Sequence, residues 1–414
     1  MHNVDMGDLV RHTMMVLTII IIAAKLGGEL MGRLGQPPVL GELLMGVVLG
    51  NLNLVGISVL DPLKTSPPLQ ILAEVGAILL LFEVGVESDL PQLLAVGWSS
   101  LLVAMVGVAA PLFLGYLVAS YLIPDGGWLS YLFVGGTLTA TSVGITARVL
   151  KDLGKSNTKE ARIILGAAVA DDVIGLVVLA VISGLTSAAT SGVSSSGAQW
   201  TGWLWIVVKA CIFLALAIVA GRFWSQRAFT VAARLQVGGV LLALCICFCF
   251  VLAILAGLVG LAPIVGAFAA GVVLEEVHYK PFLERGERTV QELLFPLTTL
   301  VVPVFFVLMG LRVDLRSFAS LSVLGFAGLV TLAAVLGKQA CAIGVLERGV
   351  DRLAIGVGMI PRGEVGLIFA GIGSSLMLRG HPVLSPTTFS ALVLVIMLST
   401  FITPPLLKAT FERR

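Results

Sequence analysis

Long apolar runs, each closed by charge or by Pro/Gly punctuation, recur along almost the whole chain. They predict thirteen helical spans, near 12–35, 38–55, 69–87, 93–122, 128–150, 159–187, 201–223, 237–260, 262–276, 295–314, 318–346, 353–378 and 387–408. A helix crossing a bilayer takes about 20 apolar residues, so the second and ninth runs are short for a full span. The one low-complexity connection, the Ser/Gly/Ala stretch 186–200, reads as a flexible linker. Asp5 and Asp8 precede the first run, and no convincing cleavage site follows it, so that run reads as a helix and not as a signal peptide.

Composition agrees. Of 414 residues, 58% are hydrophobic and 12% are charged, about half the charge of a soluble domain, and the mean hydropathy is +1.05. So few charges cannot solvate a soluble surface, so the chain reads as an integral membrane protein with the lipid bilayer as its surroundings. The net charge of +2 specifies no partner. Cys211, Cys245, Cys247, Cys249 and Cys341 all lie in apolar runs. Three of them, at i, i+2 and i+4, spread round one helix, which suits packing rather than a disulfide framework or a metal site. With the N-terminus outside, 17 basic residues fall on the cytoplasmic side. Only Arg11, Lys64, Arg312, Arg316 and Arg379 fall outside, which predicts a multi-pass cell (inner) membrane protein with its C-terminus in the cytoplasm.

An internal repeat gives the architecture. Pro38-Val-Leu-Gly41 with Gly46-Val-Val-Leu49 returns as Pro263-Ile-Val-Gly266 with Gly271-Val-Val-Leu274, an offset of 225 residues. Gly85 to Leu90 matches Gly310 to Leu315 at the same offset, and Val143-Gly144-Ile145 matches Val365-Gly366-Leu367 at 222. Spans two to six therefore pair with spans nine to thirteen. Partners are seven spans apart, an odd number, so the halves enter the membrane from opposite sides. Inverted five-helix repeats are a transporter architecture, with substrate held near the midplane at interrupted helices. Two interruptions occupy equivalent places. Thr139-Ala-Thr141-Ser142-Val-Gly144 brings three hydroxyls and a glycine to mid-membrane, and Met359-Ile-Pro361-Arg362-Gly363-Glu364 brings a helix-breaking proline. Freed backbone groups at that depth must line a polar site or find internal partners. The hydroxyls can instead bond back to their own helix.

Ionisable side chains at the bilayer centre are functional candidates by default. Asp171 and Asp172 lie roughly 17 Å along span six, Lys338 roughly 12 Å along span eleven, and Arg362 and Glu364 roughly 14–17 Å along span twelve, all from the cytoplasmic side. They therefore share one level, beside both interruptions. Adjacent helical residues point about 100° apart, so one aspartate can face Lys338 while the other faces a water-filled cavity. Burial disfavours an ionised carboxylate and an oxygen-ligated monovalent cation favours it, so proton and cation compete for one group. If Lys338 also releases a proton, two protons move per cation, and the groups titrate together. The competing reading of Asp171–Lys338 is a structural ion pair. Lys25 and Glu29, at i and i+4, are expected to pair with each other; Lys209 is expected to snorkel; Glu42, Glu74 and Glu83, in repeat segments, read as structural, with gating or lining a vestibule as the alternative.

Together these strings resemble the monovalent cation:proton antiporters, specifically the Kef/NapA-like sodium/proton branch. The resemblance runs through Arg33–Glu42, Leu79–Glu87, Thr139–Arg148, Ala168–Gly175, Gly337-Lys338 and Met359–Leu367. It implies an all-α membrane fold with crossed discontinuous helices. Residues 93–187 and 318–408 would supply core helices, with 12–90 and 201–314 as panel and dimerisation helices (the latter with a linker helix). It also implies a homodimer working by elevator-like alternating access, with a role in pH homeostasis. Asp172 matches the ion-binding aspartate, holding Na+ or Li+, with K+ as the alternative cation. Asp171 matches the neighbour paired to the lysine, here Lys338, and Thr141 and Ser142 match the crossover, Thr141 as a further cation ligand. The acid pair with a lysine resembles electrogenic members. The chain ends at Arg414 without the nucleotide-binding domain of potassium-efflux relatives, so ligand-gated regulation is not expected.

Other classes fit less well. Gly154-Lys155-Ser156 lacks the first glycine of a phosphate loop, since Val149 stands in its place. His2, His12, His278 and His381 have no zinc spacing. An intramembrane aspartyl protease needs its acids on different helices. No enzyme activity, cofactor or nucleic acid is expected. A channel needs a continuous pore, whereas acids balanced by Lys338 and Arg362 suit alternating access; a sodium-coupled symporter is the more distant alternative.

Overall fold

The computed structural model describes residues 6–56, 66–87, 97–123, 126–155, 158–190, 199–235, 237–274, 279, 282–378 and 380–413. Among the described residues, nine helices are long and apolar enough to cross a membrane, joined by shorter apolar helices. In chain order the helices are α1 (Met6–Arg33), α2 (Pro38–Gly50), α3 (Pro67–Glu87), α4 (Trp98–Leu122), α5 (Gly127–Thr137), α6 (Val143–Asp152), α7 (Lys159–Thr190) and α8 (Gln199–Ala232). They continue as α9 (Val240–Leu258), α10 (Pro263–Val273), α11 (Val290–Leu311), α12 (Leu321–Ala340), α13 (Arg352–Gly358), α14 (Glu364–Ser375) and α15 (Pro386–Glu412). A two-stranded antiparallel hairpin, β1 (Met377–Leu378) with β2 (His381–Pro382), joins the last two helices.

Local chemistry sets the boundaries. Thr289 and Glu292 form a reciprocal capping box at the start of α11. Asp351 caps α13 through the amides of Leu353 and Ala354, and Ser385 caps α15 ahead of Pro386. The expected spans at 128–150 and 353–378 each divide into two short helices, α5/α6 and α13/α14. The stretch 186–200 is helical up to Thr190 and again from Gln199; between them the chain lies outside the described residues.

Two compact units make up the chain. The first comprises residues Met1–Glu87, Ala217–Ala253 and Gly266–Leu315. Its repeat halves meet at glycines where backbones touch. A methyl group on Gly46 would overlap the Val307 carbonyl and reach Gly310, and one on Gly271 would overlap the Phe82 carbonyl and reach Gly85. Adding 225 to 46 and 85 gives 271 and 310, so the two contacts are images of each other under the repeat. The correspondence extends one helix further than the sequence match. Gly41 rests on the backbone of Gly27 in α1, and its counterpart Gly266 rests on that of Leu252 in α9, again 225 residues apart.

The second unit comprises Ser88–Leu216, Ile254–Val265 and Arg316–Arg414. It contains both interrupted helices together with α4, α7, α12 and α15. One of its apolar clusters, formed by Val103, Ile163, Ile164, Ala167, Cys341 and Ile355 among others, packs α4 and α7 against the end of α12 and against α13.

Candidate functional site

Two helix breaks face each other in the second unit. An α-helix end leaves carbonyl groups without donors, and Pro361 removes a donor as well. The first break answers the second. Thr146 Oγ1 donates to the Gly358 carbonyl (2.7 Å) and Thr141 Oγ1 to that of Met359 (3.2 Å). The Ser142 amide donates to the Pro361 carbonyl (2.8 Å). In return Arg362 Nη1 donates to the Ala140 carbonyl (3.3 Å), while Nη2 donates to that of Ala334 in α12 (3.2 Å). Thr400 Oγ1, on α15, donates to the carbonyl of Arg362 itself (2.6 Å). Gly363 permits the crossing, because a methyl group there would come within 2.9 Å of Ser142 Cβ. Thr139 takes the local option and donates to Gly136 (2.8 Å). Gly144 and Glu364 lie inside the first turns of α6 and α14, just past the breaks.

The ionisable residues gather beside this crossing. Lys338 Nζ lies 3.0 Å from both carboxylate oxygens of Asp171, and both side chains are completely buried. Gly337 lets α12 close on α4, with a methyl there meeting Pro111 at 2.8 Å. Asp172, the next residue of α7, is only partly buried. It interacts electrostatically with Asp171, Glu364 and Lys338, and among the described residues nothing donates a hydrogen bond to its carboxylate. Arg362 lies in the field of Asp171 and Lys338. Three acids (Asp171, Asp172, Glu364) thus meet two bases (Lys338, Arg362), leaving one negative charge in excess when all are ionised. A single proton or a single monovalent cation neutralises it.

The remaining intramembrane charges divide. The expected Lys25–Glu29 pair does not form: Glu29 bonds Arg33 at 2.8 Å, whereas Lys25 Nζ donates to the Thr299 carbonyl at 2.9 Å. The reason is Pro303, which lies four residues on in α11 and deprives that carbonyl of its helical donor. Glu83 accepts from Thr298 Oγ1 at 3.3 Å, and Glu42 is buried within the field of Lys25. Glu74 lies in the field of Arg312. The side chain of Lys209 lies outside the described residues. Sequence reasoning misses Thr146 and Thr400 as partners of the crossing. The available signal for Thr400 is the group Ser399, Thr400 and Thr403, three hydroxyls inside the last apolar run.

The model of the family "Sodium/hydrogen exchanger, transmembrane" matches residues 16–413. The chain belongs to that family. It is 36% identical to the high-affinity Na(+)/H(+) antiporter NhaS3 of Synechocystis, over 96% of this chain and 89% of that protein. It is 35% identical to the Na(+)/H(+)-K(+) antiporter GerN of Bacillus cereus, over 95% of each. The sodium proton antiporter MjNhaP1 of Methanocaldococcus jannaschii shares the fold, with a TM-score of 0.70 at 16% identity over 98% of this chain and 97% of that one.

Proposed function

We propose that this member of the family exchanges a monovalent cation, sodium by preference, for protons, and that Asp172 is the carrier. The observation that carries the reading is the unlike environment of two adjacent aspartates. Asp171 is paired through both oxygens with Lys338, whereas Asp172 is partly exposed at membrane depth with no hydrogen-bond donor among the described residues. A carboxylate facing lipid is expensive, so the exposed surface of Asp172 belongs to a water-accessible cavity. Thr141 fits as a second ligand. Its hydroxyl proton is committed to Met359, which leaves only lone pairs for a cation. Proton and cation each neutralise the one excess charge, so they exclude each other.

Lys338 and Asp171 make the exchange electrogenic if the lysine gives up its proton when the cation binds. The helices within 93–187 and 318–408 act as the moving core, those within 12–90 and 201–314 as the panel of a homodimer, and the core carries the ion by an elevator-like movement. The termini lie N-outside and C-inside in the cell membrane; cation and proton are the substrates, and the cycle needs no cofactor. Potassium is the second reading, favoured by the similarity to GerN, whose name includes both cations.

Proteoliposomes with an acid interior and an internal pH dye test this. External sodium or lithium should alkalinise the lumen in wild type, and Asp172→Asn should not respond. An equal response to potassium assigns a broad-range exchanger. Absence of proton movement with every cation, in folded protein, overturns the antiporter reading in favour of a symporter.

A further inference from the structure

Thr400 lies on α15, outside both interruption strings, yet it is completely buried and its hydroxyl donates to the backbone of the crossing. The residue it holds, Arg362, is a three-way joint. One guanidinium nitrogen bonds the Ala140 carbonyl in the first break, and the other bonds the Ala334 carbonyl in α12. Ala334 stands four residues before Lys338, so its carbonyl is the helical acceptor for the Lys338 amide. Arg362 therefore fixes, with one rigid planar group, the place of the first break and the turn of α12 that presents Lys338 to Asp171. Its Nε is buried without a hydrogen-bond partner. An unpaired buried donor is costly, so the position of this side chain depends on its two carbonyl contacts and on the tether of its own backbone.

We propose that Thr400 is a positioning residue for cation binding: by holding the Arg362 carbonyl it sets the spacing between the crossing, which carries Thr141, and the Lys338–Asp171 pair, and so sets the apparent affinity for the cation. Thr400 touches neither cation nor carboxylate; it acts through Arg362. The assignment rests on the antiporter reading above. Without the hydroxyl, the 362–363 peptide of the non-helical segment loses its donor and Arg362 loses its anchor. Gly363 meets Ser142 at close range, so displacement at Arg362 passes directly to the first break.

Full-length wild type, Thr400→Val, Thr400→Ser, Thr400→Ala and Asp172→Asn, reconstituted in the same lipid, test this. Thr400→Val keeps the shape and removes the hydroxyl; Ser and Ala lose the same methyl and differ from each other only by the hydroxyl. The half-saturating sodium concentration for proton movement and the thermal midpoint with and without sodium are both read. The expected result is a half-saturating concentration raised about fivefold or more in Val and Ala, the scale of one lost buried hydrogen bond. The sodium-dependent rise in midpoint shrinks in both, and Ser restores both readouts to near the wild-type values. Unchanged half-saturation in Val and Ala overturns the proposal. So does a lower thermal midpoint without a change in sodium dependence, since that marks a purely structural role. Should Thr400→Val not fold, the Ser/Ala pair decides alone. If wild type moves protons and Asp172→Asn moves them equally well, the carrier assignment fails separately, and the Thr400 variants still report on sodium dependence.

Discussion

The same inverted repeat builds two unlike joints. In the first unit, helices of the two halves meet backbone to backbone through Gly46 with Gly310 and Gly85 with Gly271, and every peptide there remains inside a helix. In the second unit the halves meet where both helices are broken, and the contact is made of hydroxyl, amide and guanidinium donors on freed carbonyls. A continuous helix satisfies its own backbone, so its best contact in lipid is close packing of small residues. A broken helix must recruit polar partners, and the polarity that satisfies the break also makes a place for charge. One joint is suited to rigidity and the other to holding an ion.

That contrast can be broken at either joint. The largest effect is expected from Asp172→Asn, which removes the partly exposed carboxylate: cation-driven proton flux should fall to that of protein-free liposomes while the thermal midpoint stays within a few degrees of wild type. Lys338→Gln comes next. It leaves Asp171 buried without its partner, a loss of about 3–5 kcal/mol for a broken buried pair, visible as a clearly lower midpoint in detergent. Asp171→Asn in the same background should recover part of that loss, because the uncompensated charge is gone. At the glycine joint, Gly46→Val forces a side chain into the Val307 backbone. It should cost about 1–3 kcal/mol of stability and leave the sodium dependence of the folded fraction alone. The smallest effect is expected from Thr141→Val, with half-saturating sodium raised several-fold and maximal rate retained.

Much of this architecture is legible in the amino-acid sequence. Gly46, Gly85, Gly271 and Gly310 announce the repeat because a close helix contact tolerates few residue types, so the same letters recur. Asp171, Asp172 and Lys338 stand out because charge in an apolar run is rare for energetic reasons. What stays hidden depends on backbone geometry in three dimensions. Thr146 and Thr400 are ordinary hydroxyls until a carbonyl 212 or 38 residues away is seen to need them. Spacing misassigns Lys25, because it offers Glu29 as a neighbour, whereas the stronger demand comes from a carbonyl orphaned by Pro303 on a distant helix. Arg362 stands two residues from Glu364 in sequence, yet its guanidinium bonds two distant carbonyls, which sequence spacing does not reveal.

Competition between proton and cation at one carboxylate is the centre of the account, and the pH dependence of sodium affinity tests it most directly. Initial proton flux is measured in proteoliposomes across a range of sodium concentrations at pH values from about 6 to 9, spanning physiological pH. On the proposed assignment a protonated Asp172 cannot hold sodium, so the half-saturating concentration should rise as pH falls, by up to about tenfold per pH unit from the proton on Asp172 alone, with the maximal rate at saturating sodium little changed. A half-saturating concentration independent of pH, with only the maximal rate responding, would contradict the shared site and place proton and cation on different groups.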